Sequence, residues 1–163
     1  MTQFSTGQLD GKVALVTGAG RNIGKAIALE LAGAGAALIV NARSNRDEAE
    51  AVAEVIRRDG GRATAMIADV GDRGAFEAML AEGLREYGGI DIVVNNAATR
   101  PSKSFTDMTY EDWRGVLATD LDAAFIASKA AVPGMMERGW GRIINFSGPV
   151  SYTHLTLPTI YSV

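Results

Sequence analysis

The sequence predicts an α/β fold built on a doubly wound parallel sheet with helices on both faces. Three observations predict it: five short apolar runs alternate with four segments of helical pattern, a glycine-rich turn follows the first run, and polar residues follow the later ones. Such alternation is typical of a parallel sheet that is covered on both faces. A ligand is then expected at the carboxyl ends of the strands, where the strand order reverses.

The first predicted strand, Val13 to Val16, leads directly into Gly18, Gly20 and Gly24. Glycine permits a sharp turn and the close approach of a phosphate group. The helix predicted after the turn, over residues 23–32, presents free N–H groups and a partial positive charge that hold a pyrophosphate. A preceding strand and a following helix are the context of a Rossmann-type dinucleotide site, whereas the glycines alone would also fit an ordinary βα turn.

The remaining elements continue the alternation of strands and helices. The further predicted strands are 37–42, 63–68, 90–95 and 142–147, and the further helices are 46–58, 72–87 and 110–138. On the second helix, Glu54 and Arg58 have the spacing of an i,i+4 ion pair on a solvated face. The long last helix, which contains Pro133, has an apolar stripe of Trp113, Leu117, Leu121 and Phe125.

Composition excludes several classes of protein. The chain has 163 residues, of which 47% are hydrophobic, so one domain with a real core is expected rather than disorder. The net charge of −3 predicts no nucleic-acid partner, and no apolar run approaches the roughly 20 residues that span a membrane. The sequence has no cysteine and a single histidine, His154, which argues against disulfides and a metal site and favours a cytoplasmic protein.

The glycine turn resembles that of the short-chain dehydrogenase/reductase family, which reads Thr-Gly-x-x-x-Gly-x-Gly. Thr17, Gly18, Ile23 and Gly24 fit this pattern, and Asn22 stands where the family has its middle glycine. Asparagine tolerates positive φ better than most residues, so we expect the turn to be kept. The resemblance implies an NAD(P)-dependent oxidoreductase that transfers a hydride between NADP(H) and an alcohol or carbonyl substrate.

Later strand ends extend the resemblance, which runs over residues 7–148. Asp69-Val70 follows the third strand, where the family places an adenine contact, and Asn95-Asn96-Ala97 resembles the family's Asn-Asn-Ala-Gly with Ala98 for the glycine. The sheet is expected to be truncated after its fifth strand, which leaves the fifth strand uncovered on one face and predicts poor solubility. The resemblance also implies that the intact parent is a homo-oligomer, a tetramer or dimer.

Two arginines favour NADP, with NAD as the alternative. Arg43 follows the second strand, where a domain that prefers NAD usually has an acidic residue. A guanidinium group suits a ribose 2′-phosphate, and Arg21 in the glycine turn is basic as in the NADP-preferring family members; two surface arginines are the simpler alternative. The predicted cofactor-binding residues are Gly18, Gly20, Arg21, Asn22, Ile23, Gly24, Arg43, Ser44, Asp69, Val70, Asn96, Ala97 and Ala98.

The catalytic set that the resemblance implies, Asn, Ser, Tyr and Lys, is not found in this chain. Asp120 stands at the asparagine position, the serine position falls on Gly148 with Ser147 one residue short, and no Tyr-x-x-x-Lys occurs. Asp120 and Ser147 are therefore the candidate catalytic residues, and we expect the chain as written to lack activity. The alternative function is a dinucleotide-binding module or sensor without catalysis. A response regulator is disfavoured, because its first strand should end in acidic residues.

The segment 149–163 fits no element of the family, so we predict a domain over 1–148 and a non-native tail after it. Residues 150–159 can be written as the codons GTC TCT TAT ACA CAT CTG ACG CTG CCG ACG, which are the adapter of transposase-based sequencing libraries read in one frame. An index and GTG-TAG would then complete the segment through Val163. Truncation would explain the missing Tyr and Lys; a genuine short tail is the alternative.

Overall fold

Five parallel strands form one sheet in a computed structural model that describes residues 7–147. The strands are β1 (Val13–Val16), β2 (Ala37–Ala42), β3 (Ala63–Ile67), β4 (Ile92–Asn95) and β5 (Arg142–Asn145). The helices are α1 (Asn22–Gly33), α2 (Arg46–Arg58), α3 (Arg73–Tyr87), α4 (Tyr110–Leu117) and α5 (Ala123–Glu137). The order β3-β2-β1-β4-β5 reverses between β1 and β4, which confirms the predicted doubly wound α/β class.

The sheet separates two apolar layers. On one face, Val16 and Val40 pack with residues of α1 and α2, and on the other face Leu15 and Ile39 pack with α3 and α5. Neighbouring residues of β1 and β2 thus enter opposite cores, and β1 is buried along its whole length. Burial on both faces is why these strands appear in the sequence as continuous apolar runs rather than as alternating ones.

The long helix predicted over residues 110–138 is interrupted. A π-helical turn, Ala118–Asp122, separates α4 from α5, whereas Pro133 lies within α5 without ending it. The side chains of α5 that are buried are small, except for the last, and they recur at every fourth position: Ala123, Ala127, Ala131 and Met135. Three residues of the predicted stripe, Trp113, Leu121 and Phe125, are instead exposed by 49%, 61% and 65%. Short side chains allow a close approach to the core, so the bulky ones remain outside.

Asp91, just before β4, joins four segments. Its Oδ2 accepts the backbone N–H of Val13 at 3.0 Å, and its Oδ1 accepts Nε–H of Arg138, beyond the end of α5, at 2.9 Å. Its own N–H donates to the Val13 carbonyl at 2.8 Å, and its carbonyl accepts the N–H of Arg142 at 2.9 Å. The residue is 4% exposed, and each of its two carboxylate oxygens has a structural partner.

The predicted Glu54–Arg58 pair is wrong. Glu54 pairs instead with Arg57 at 2.9 Å, and Arg57 also pairs with Glu50. The reason lies in the neighbouring strand, because Nη1 of Arg57 donates to the carbonyl of Ala63 at 3.0 Å. This bond holds the Arg57 guanidinium between α2 and β3, within reach of both carboxylates.

Some predictions fall outside the described residues. Those on Gly148, His154 and the segment 149–163 belong to this group. Among residues 7–147, no helix combines the length and apolar character needed to cross a membrane. The same residues include no group of three or more histidine, aspartate or glutamate side chains arranged to hold a metal ion.

Candidate functional site

The glycine turn between β1 and α1 depends on three backbone positions. Gly18 has φ +64°, and Asn22 has φ +50°, the only positive value at a non-glycine residue in the described range. The expectation that Asn22 keeps the turn is therefore confirmed. At Gly24 a Cβ atom would lie 2.3 Å from the carbonyl oxygen of Gly18, so no side chain fits there. The loop consequently folds back closely onto the start of α1.

Thr17 and Asn96 fasten this turn to the end of β4. The Thr17 hydroxyl accepts the N–H groups of Asn96 and Ala97, both at 3.0 Å, and donates to the carbonyl of Val94 at 3.3 Å. In return, Nδ2 of Asn96 donates to the carbonyls of Thr17 and Gly18 at 2.9 and 3.3 Å. These bonds cross between β1 and β4, the two strands between which the order reverses.

Asn41, which sequence reasoning missed, fastens the turn on its other side. The residue is 1% exposed; its Oδ1 accepts the N–H of Gly18 at 3.3 Å, and its Nδ2 donates to the carbonyls of Met66 and Ala68 at 3.3 and 3.1 Å. The signal was present in the sequence, since Asn41 is the single polar residue of the run Ala-Leu-Ile-Val-Asn-Ala. Buried amides of this kind are rarely tolerated without partners.

A cavity of about 510 Å³ lies at the carboxyl edge of the sheet above the turn. Its lining contains all thirteen residues that the sequence predicts for cofactor binding. Seven further lining residues were not predicted: Asn41, Ala42, Asn45, Glu48, Ala68, Thr99 and Thr119. The predicted residues are distant in the chain but lie together in the structure, because the carboxyl ends of parallel strands share one edge of the sheet.

The cavity carries charge of both signs. Arg21 and Arg43 are exposed at its wall, and the half-buried Glu48 of α2 lies beside Gly20. Asp69 accepts the N–H of Gly71 at 2.9 Å, which stabilises the turn after β3. Polar groups and apolar side chains such as Ala42 and Val70 are thus both available to a ligand that has a charged and an aromatic part.

The two candidate catalytic residues lie outside the cavity lining. Asp120 is exposed in the π-helical turn, and its Oδ1 accepts the N–H of Thr99 at 2.8 Å. Its neighbour Thr119 and its partner Thr99 do line the cavity. Ser147 is exposed two residues after β5. The structure therefore places Asp120 one residue from the cavity lining and does not bring Ser147 into it. The position of Asp120 in a π-helical turn agrees with a role near the site, because such turns are frequent at functional sites.

Two curated proteins are similar to this chain in sequence. The chain is 38% identical over 139 residues to 3-oxoacyl-[acyl-carrier-protein] reductase FabG of Staphylococcus aureus (strain Mu50 / ATCC 700699), covering 85% of this chain and 56% of that protein. It is 42% identical over 132 residues to versicolorin reductase 1 of Aspergillus parasiticus, covering 81% and 50%. The chain thus spans about half the length of the curated relatives it matches.

Among solved structures, a metagenomic short-chain oxidoreductase in complex with NADP matches with a TM-score of 0.81 and 34% identity, over 86% of this chain and 63% of that one. A short chain dehydrogenase from Burkholderia cenocepacia J2315 in complex with NADP matches with a TM-score of 0.83 and 34% identity, over 92% and 60%. The family model described as short chain dehydrogenase matches residues 12–163. The chain therefore belongs to the short-chain dehydrogenase family.

Proposed function

We propose that this chain is the dinucleotide-binding part of an NAD(P)-dependent oxidoreductase, which transfers a hydride between NADP(H) and an alcohol or carbonyl substrate. The observation that carries the proposal is the convergence of all thirteen predicted cofactor residues on one cavity at the strand-order reversal. Ligands of open α/β sheets bind at this position. Two similar solved structures are complexes with NADP.

The residues present fit such a cofactor. Gly24 leaves no space for a side chain, and the close turn that it permits brings the start of α1 to the cavity, as a pyrophosphate requires. Arg21 and Arg43 supply the cations that favour a 2′-phosphate and hence NADP. The bound dinucleotide would supply the hydride, while this chain orients it and excludes water from its buried side.

Binding without turnover is expected of the chain as written. The sequence contains no Tyr-x-x-x-Lys, so no tyrosine activated by a neighbouring lysine is available as the acid/base. The Asp120 carboxylate already accepts a hydrogen bond from Thr99 and would orient that loop next to the cavity. The second candidate function, a dinucleotide-binding module or sensor, is favoured by Asp120, because it brings a charge to the position where the resemblance implies an asparagine.

The test is a titration with NADPH followed by its fluorescence, with NADH in parallel. Wild-type protein should bind NADPH, and Arg43→Gln should weaken that binding by about ten- to a hundredfold through the loss of one charge-assisted contact. NADH affinity should change by less than about twofold, because NADH lacks the 2′-phosphate. Arg58→Gln is the matched control, since Arg58 is an exposed arginine of α2 that does not line the cavity. A wild-type protein that binds neither dinucleotide would refute the proposal.

We also propose that the domain ends at residue 148 and that residues 149–163 are translated sequencing adapter. The codon match over residues 150–159 supports them, whereas the family match runs on to residue 163. A long sequencing read through the source locus decides whether the tail comes from an adapter or is native. A native frame that continues past Gly148 into a Tyr-x-x-x-Lys helix supports the enzyme, and another pair of residues there supports the sensor. A native locus that encodes the same tail contradicts the adapter origin.

We further propose that the intact parent is a cytoplasmic homo-oligomer, a tetramer or dimer, and that it acts on a small molecule and not on nucleic acid. The exposed Trp113, Leu121 and Phe125 support an interface between copies, because large apolar side chains left exposed along one helical segment are typical of contact sites. The lack of cysteine is compatible with a reducing compartment. Light scattering after size exclusion of the intact parent checks the assembly: the parent should be larger than a monomer, and Phe125→Asp in it should shift it towards the monomer.

A further inference from the structure

Glu48 places a carboxylate in the same cavity as the two arginines. It is the third residue of α2, and it lines the cavity together with Arg21 and Arg43. Its Cβ and Oε2 lie 3.2 and 3.5 Å from the position that a Cβ atom on Gly20 would occupy. The carboxylate therefore leans over the glycine turn rather than pointing away from the protein.

Beyond its place as an acidic residue in the first turn of α2, this carboxylate makes no bond to a side chain or to the backbone among residues 7–147. The N–H of Glu48 donates to the capping Asn45 Oδ1 at 3.2 Å, but the side chain does not return a bond to the Asn45 N–H. In α4 the corresponding bond exists, because Asp112 accepts the N–H of Thr109 at 3.0 Å. Within the described residues, the side chains of Glu48, Arg21 and Arg43 make no hydrogen bond or ion pair. Three charged groups that lack protein partners thus converge on one cavity.

We propose that Glu48 is a specificity-determining residue that keeps this site open to both dinucleotides. The inference rests on the proposed function. A carboxylate accepts hydrogen bonds from the free ribose hydroxyls of NAD(H), the task that an acidic residue usually performs after β2. The same charge repels the 2′-phosphate of NADP(H) and so offsets part of the attraction by the arginines. The site therefore combines two arginines, Arg21 and Arg43, which favour the 2′-phosphate, with the Glu48 carboxylate, which favours the free ribose hydroxyl groups.

The experiment measures the dissociation constants of NADPH and NADH for the full chain and for Glu48→Gln at fixed ionic strength. Removing the charge should tighten NADPH by at least about fivefold and leave NADH equal or weaker, so that the ratio of the two constants moves towards NADPH. Glu48→Asp, which retracts the charge by one methylene, should move the ratio in the same direction by less. It keeps the net charge, and it tests the inference even where the glutamine variant does not fold.

Asp47→Asn is the matched control, because it removes a charge from the same turn of α2 at an exposed position outside the cavity lining. An unchanged ratio in Asp47→Asn with a shifted ratio in Glu48→Gln supports the inference. Equal shifts in both variants would show a long-range effect of net charge and overturn it. A wild type that binds NADPH with a ratio insensitive to Glu48 overturns this inference alone, whereas a wild type that binds no dinucleotide overturns the proposed function beneath it.

Discussion

Replacing Thr17 with valine removes the hydroxyl that joins β1 to β4 without changing the shape of the side chain. Thr17 is 2% exposed, and its hydroxyl makes three hydrogen bonds, two of them from backbone N–H groups at 3.0 Å. A buried group left without a partner costs about 1–3 kcal/mol, and the half-buried amides of Asn96 and Ala97 recover part of this from water. We expect the free energy of unfolding to fall by about 2–4 kcal/mol, which is large against the roughly 5–15 kcal/mol of a typical domain.

Urea unfolding followed by tryptophan fluorescence measures this loss. With a slope of about 2 kcal/mol per molar urea, the midpoint should fall by about 1–2 M. Thr17→Ser is the control, since it keeps the hydroxyl and loses one methyl group, which should cost only about 1 kcal/mol. The reasoning is refuted if the valine variant unfolds within about 0.5 kcal/mol of the wild type, or if serine costs as much as valine.

Two further predictions concern the loop and the surface. Gly24→Ala should weaken NADPH binding by more than about tenfold and destabilise the fold by about 1–3 kcal/mol, because the added Cβ would meet the Gly18 carbonyl at 2.3 Å; wild-type affinity in a calorimetric titration would contradict this. The hydrogen bond from Lys103, with those from Thr109, lowers the pKa of Asp112 from 3.8 to about 2. The stabilisation by this carboxylate should therefore be complete above pH 3.8 and be lost as the pH falls towards about 2. Lys103→Gln should raise the pKa of Asp112 in a carboxyl NMR titration. An unchanged midpoint of the Asp112 titration in this variant would exclude the contact between Lys103 and Asp112.

The strand ends were the most predictable part of the molecule. Periodicity and glycine placed β1 and β2 at their observed limits, and the side-chain chemistry of asparagine anticipated the positive φ at Asn22. Because the strands are parallel, their carboxyl ends share one edge, and the resemblance to the short-chain family then indicated which residues at that edge, from Gly18 to Ala98, would line the cavity. The position of the site depends on local sequence and on one topological rule, whereas the choice of residues at the third and fourth strand ends depended on the resemblance.

Long-range partners were not predictable in the same way. Glu54 pairs with Arg57 rather than with Arg58, because Arg57 is also held by the carbonyl of Ala63 in a neighbouring strand. The π-helical turn before α5 and the outward stripe at Phe125 depend on how closely small side chains approach the core. An apolar helical stripe has the same pattern whether it faces the core or another molecule, so periodicity could not tell the two apart.

The carboxylate of Asp91 has a consequence for how the molecule opens. The Val13 amide is held by this side chain, while the same residue also holds Val13 through its backbone, Arg142 in β5 and Arg138 beyond α5. None of β1, β5 and the end of α5 can detach without breaking a hydrogen bond to Asp91, which all three share. The centre of the sheet and the end of α5 should therefore form one cooperative unit in hydrogen exchange, with the Val13 amide exchanging only when the whole unit opens.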